Sequence, residues 1–131
     1  MRVIVGGVGY RNLRDHSVGV AITDRLETVG WADDVVVEDL NLRGFWLDGV
    51  NCHDNVRRTD LVRITAKDNG RSGISIGGSS RVRIETCTAA GNGQAQVRIE
   101  GYSIVEMIDN TLDDATAPAV VQEGGRIVKD R

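Results

Sequence analysis

Asp109, Asp113 and Asp114 are the residues of this sequence best suited to acid–base chemistry. Carboxylates set close together can divide general acid and general base work, or hold a calcium ion between them. A fourth, Asp68, lies 46 residues before Asp114. The plainer reading is a solvated turn, because aspartates directly after Leu112 would bond their own backbone. His53 heads a second cluster with Cys52, Asp54, Arg57 and Arg58. Consecutive side chains of an extended segment point to opposite sides, so Cys-His-Asp in a row is no catalytic triad. A metal site there would need a second, well-spaced pair of ligands. His53 is therefore a candidate for ligand binding, or simply a loop histidine.

The chain that must position these groups has 131 residues, enough for one domain with at most a small appendage. Sixteen glycines against one proline suit tight turns and close backbone layers. The net charge is −3, and Lys67 and Lys129 are the only lysines, so no electrostatic case exists for nucleic acid or an anionic membrane. No apolar run is long enough to span a bilayer. Met1-Arg2-Val3-Ile4-Val5 lacks a secretory core, which places the chain in the cytoplasm as written, or outside the cell if it is a fragment of an exported protein. Cys52 and Cys87 form no C-x-x-C pair and are expected to be reduced, one in the core and one in a turn.

A repeat organises the rest. Thr59 through Gly70 align with Val82 through Gly93 at an offset of 23, bringing Thr65 onto Thr88 and Asn69-Gly70 onto Asn92-Gly93. The same step takes Ile74 to Val97 and Val120, Gly78 to Gly101 and Gly124, and Val105 to Val128. Alternation within each unit, as in Val82-Arg83-Ile84 and Val97-Arg98-Ile99, predicts two short strands per coil, each with one buried face. Stacked coils bury what one coil cannot. Asp60, Arg83, Glu106 and Lys129 should then form an outer ladder of alternating sign, and Thr65, Thr88 and Thr111 a hydroxyl ladder. The outward positions of the second strand, Ser75, Arg98 and Val121, are not an acidic row, which counts against a hydrolase groove there. Arg98 on that face is a candidate ligand-binding residue. Upstream, Asp34 to Leu42 followed by Phe45-Trp46-Leu47 reads as another coil, with a long turn over 51–58 to absorb an irregular offset. Trp46 offers a flat face for a sugar ring, while at least one of Phe45 and Trp46 should pack in the core.

Val-x-Ile-x-x-Cys-Thr-x-x-Gly-Asn-Gly followed by Val-x-Ile-x-Gly resembles the pectin-lyase-like β-helix family. The resemblance implies a mainly β fold: a short right-handed parallel β-helix, a solenoid of 23-residue coils, over residues 34–131. It also implies carbohydrate as the ligand class, since that family holds polysaccharide lyases, epimerases and hydrolases as well as non-catalytic tail proteins.

Residues 1–33 fall outside the period and read as strand, glycine loop and helix, an element able to cap the solenoid. Gly7-Val8-Gly9-Tyr10-Arg11-Asn12-Leu13-Arg14-Asp15-His16-Ser17-Val18-Gly19-Val20 resembles the opening of the hydrogenase-maturation endopeptidases. That likeness would make His16 a ligand for nickel, although Tyr10 replaces the family's usual asparagine and its later ligands have no counterpart here. The hybrid suggests a chimeric chain. The expected function is a structural or oligosaccharide-binding module without catalysis or a resident cofactor, self-associating through its solenoid ends. The alternatives are a carbohydrate-active enzyme using the aspartates, with calcium in the lyase case, and a metal-dependent endopeptidase.

Overall fold

The structure is a computed structural model that describes residues 34–53 and 58–130. The element expected over 1–33 lies outside those residues, and so does its His16. Everything regular in the described part is strand. Each coil carries three strands rather than two, because a left-handed residue breaks the first apolar stretch of every repeat. One face stacks β1 (Asp34–Glu38), β4 (Arg58–Val62) and β7 (Arg81–Glu85), continuing into the second half of β9 (Ala95–Ile108) and the end of β11 (Val120–Asp130). A second face stacks β2 (Asn41–Arg43), β5 (Thr65–Lys67), β8 (Thr88–Ala90) and β10 (Thr111–Leu112). The third stacks β3 (Val50–Cys52), β6 (Ser72–Ile76) and the first parts of β9 and β11. All pairings are parallel.

The corners repeat as faithfully as the strands. Asp39, Arg63, Thr86 and Asp109 have φ of 59°, 51°, 54° and 52° and turn the chain from the first face to the second. A left-handed non-glycine residue costs roughly 1–2 kcal/mol. Hydrogen bonds between coils offset that cost: Arg63 N donates to Glu85 O at 3.0 Å and Thr86 N to Ile108 O at 2.9 Å. Gly78, Gly101 and Gly124 make the corner from third face to first. At Gly101 a Cβ would lie 2.6 Å from Gly78 O, so this column admits no side chain.

Inward residues form columns along the stack. Leu61, Ile84 and Met107 make one, Ile74 and Val97 another, Ile76 and Ile99 a third, all buried. Complete burial of each such side chain is worth about 1.5–3 kcal/mol. Beside the second face the core narrows to Ala66 and Ala89, and a polar ladder replaces it at the next corner. Asn92 Oδ1 accepts from Asn69 N and Asn69 Nδ2, both at 3.0 Å, while Asn92 Nδ2 donates to Ala66 O at 2.9 Å and Gln96 Oε1 at 2.7 Å. One coil up, Asn69 Oδ1 accepts from Phe45 N and Asn69 Nδ2 donates to Leu42 O. Backbone groups at this corner, which the strand ladder misses, are thereby satisfied in the interior.

Several expectations need correction. Val50–Cys52, not Phe45-Trp46-Leu47, pairs with β6, at an offset of 24 that also holds for Val35 and Thr59. The first coil is one residue longer, with the extra residue between Cys52 and Thr59. Phe45 packs against the core and Trp46 stands 80% exposed in the turn. At the other end Ile127, not Val128, pairs with Val105, because β11 shifts register after Gly124 and recovers at Lys129 through a bulge. Asp60, Arg83, Glu106 and Lys129 do stand in one ladder, as do the three threonines. Asp60 is nonetheless buried, and Arg83 pairs along its own strand with Glu85 at 3.3 Å.

Replacing Asn92 by leucine keeps the branched shape and strips Asn69 and Ala66 of their partners. Urea unfolding should show a loss of about 3 kcal/mol, and an unchanged midpoint would mean that the ladder is dispensable.

Candidate functional site

Outward residues of the third face line a groove of about 480 Å³. Asn51, Ser75 and Arg98 are partners in successive coils and form its floor. Arg71 and Gln94 border it where the strands begin, and His53 and Glu100 where they end. Gly77 keeps that far end open, since a Cβ there would meet only Glu100 Oε2 at 3.9 Å and His53 Cβ at 4.0 Å.

One carboxylate organises the near end. Asp48 has a side chain only 2% exposed and accepts from Arg71 Nε at 3.0 Å, from Arg71 Nη2, from Ser72 N at 3.0 Å and from Asn51 Nδ2 at 3.1 Å. Its hydrogen bonds push the Arg71 guanidinium further toward the charged form, against a smaller opposing effect of burial. Arg98 is held in turn by Glu123 at 2.8 Å and Glu100 at 3.3 Å. Its Nε is buried and has no hydrogen-bond partner. Amide, hydroxyl and guanidinium groups thus stand in a row at the coil spacing of about 4.8 Å. Such a row can donate to and accept from the hydroxyls of a polar ligand laid along the solenoid axis.

The candidate residues divide accordingly. His53 and Arg98 come together in this groove. Trp46 is not part of its lining and stands exposed in the turn two residues before Asp48. The three aspartates do not share a turn. Asp109 occupies the corner between the first and second faces, while Asp113 and Asp114 follow β10 at the next corner. Asp113 Oδ1 accepts from Ala115 N at 2.9 Å, closing its own local turn. Asp68 pairs with Arg43 at 3.1 Å. Among the described residues no group of three His, Cys, Asp or Glu side chains is arranged to hold a metal ion.

With three parallel faces and a 23-residue rise established, the family follows from comparison. A family model described as a right-handed β-helix region matches residues 15–130. The chain belongs to the right-handed β-helix family. No curated protein and no solved structure matches it.

Sequence reasoning overlooked Asp48 in this β-helix. Its signal was the opposite charge of Arg71, one position before the Ser72 that the first coil's offset of 24 sets beside Asp48. A similar pairing marks the first corner, where Arg63 Nε and Nη2 bind Asp39 at 2.6 and 2.9 Å and hold its carboxyl below the usual range.

The thiols take no part in the groove. Cys52 and Cys87 are both free and both buried, Cys87 in its turn as fully as Cys52 at its strand end. Burial pushes the Cys52 thiol up to about 11 and raises Cys87 as well. A folded value above the unfolded one means that the stabilisation is complete below about pH 9 and is lost as pH climbs through 11. At pH 8 a disulfide reagent should therefore react with both thiols only at the rate of unfolding. Rapid stoichiometric reaction in native buffer would show that the β-helix core admits solvent.

Proposed function

We propose that this β-helix is a binding module for oligosaccharide, without catalysis, and that the third-face groove is its site. The observation that carries the reading is the register of Asn51, Ser75 and Arg98, which aligns three polar side chains of different types along one open channel. Sugars present hydroxyls that both donate and accept, and an amide, a hydroxyl and a guanidinium match that chemistry. Asp48, Glu100 and Glu123 hold the arginines in place before any ligand arrives, which reduces the ordering cost of binding. Trp46, exposed in the turn two residues before Asp48, offers an apolar face for a ring. The non-catalytic part of the proposal draws its support from the aspartates, which are divided between two corners instead of converging on one substrate.

A panel of oligosaccharides titrated by calorimetry tests this directly. The intact chain should bind at least one class, and Arg98→Ala should weaken that binding roughly tenfold or more. Thr111→Ala on the second face should leave it unchanged. Absence of binding across the panel would leave a structural role for the solenoid and remove the carbohydrate one.

A further inference from the structure

The first face carries a separate groove, of about 210 Å³. Its cations come from successive levels of the stack. Arg58 precedes Thr59, whose partner Val82 follows Arg81, so these two arginines stand in neighbouring coils. Ile104 pairs with Arg81 on one side and with Arg126 on the other. Like charges stacked this way destabilise a sheet unless something sits between them. Neither the Arg81 nor the Arg126 side chain makes a hydrogen bond or ion pair with any described residue. Arg83, also in the lining, spends Nη2 on Glu85 while its Nε is buried with no hydrogen-bond partner.

Four arginines face two carboxylates, Asp60 and Glu106, in this lining, leaving a formal charge of +2. The bulge in β11 adds an apolar element. It directs Val128 outward, 46% exposed, into the same groove as Ile104 rather than into the core. Bulges of this kind serve to re-aim a side chain. The space is smaller than the about 300 Å³ at which pockets for drug-sized ligands begin.

We propose that the first-face groove binds a phosphate dianion, held by Arg81 and Arg126, with Arg83 Nε as a further donor. Guanidinium forks match tetrahedral oxyanions geometrically, and a phosphate monoester carries close to two charges at pH 7. A bound dianion neutralises the excess charge of the lining and separates the arginines electrostatically. Ile104 and Val128 supply contact for the first carbons of an ester.

Calorimetric titration at pH 7.5 with inorganic phosphate, glycerol 3-phosphate, glycerol and acetate tests the site. Both phosphates should bind, and acetate and glycerol should not. Tighter binding of glycerol 3-phosphate identifies an ester as the ligand, and equal binding identifies free phosphate; either result upholds the dianion site. Arg81→Gln and Arg126→Gln should each weaken phosphate binding at least tenfold, with Arg43→Gln on the second face unchanged. Without ligand the two variants should melt no lower than the parent, because each removes an unpaired cation. Failure of phosphate to bind, equal binding of acetate, or phosphate binding indifferent to Arg81 and Arg126 would overturn the proposal.

Discussion

Parallel pairing of residues 23 apart is the constraint on which the rest of this structure depends. Once Thr59 lies beside Val82 and Ile74 beside Val97, the core columns and outward ladders of the central coils are fixed. A slip by one residue would move the isoleucines outward and the arginines inward. The corners enforce the same register. Gly101 stacks on Gly78 with no room for a Cβ, and the Asn69–Asn92 ladder connects adjacent coils only when equivalent positions are superposed. Apolar burial supplies most of the stabilisation, while buried amides and glycines select which stacking is stable.

Function on such a scaffold follows from what the register leaves outside. The third face places an asparagine, a serine and an arginine in line. The first face places arginines in neighbouring coils and, through the bulge near its end, turns an apolar residue toward them. Neither groove needs an inserted loop. Both arise because a periodic backbone presents non-periodic side chains, so that the repeat supplies geometry and its exceptions supply chemistry.

The repeat was legible because columns of like residues persist over several coils; Thr65, Thr88 and Thr111 announce their pairing without a structure. The third strand of each coil was not. In the two middle coils its inward residues are single alanines, Ala66 and Ala89, too few to show an alternation, and the corner before it is made by Arg63 and Thr86, residues with no turn signature. The first coil was misread for a related reason: Phe45-Trp46-Leu47 is more hydrophobic than Val50-Asn51-Cys52, yet only the latter lies opposite β6. At the C-terminal end a compensated register shift is invisible to an offset count, because Lys129 recovers the spacing that Ile127 breaks. Arg98 and His53 could be singled out from the sequence, but their convergence depended on where the corner after Cys52 places His53.

Cross-linking between coils addresses the register most directly. Thr65 and Thr88 are Cα partners on the outside of the second face, at a spacing of about 4.8 Å that a disulfide can bridge. A Thr65→Cys/Thr88→Cys variant should close that bond under mild oxidation, whereas Thr65→Cys/Ala90→Cys, two residues out of register, should stay reduced. Efficient closure of the second pair and not the first would contradict the 23-residue stacking and every placement that follows from it.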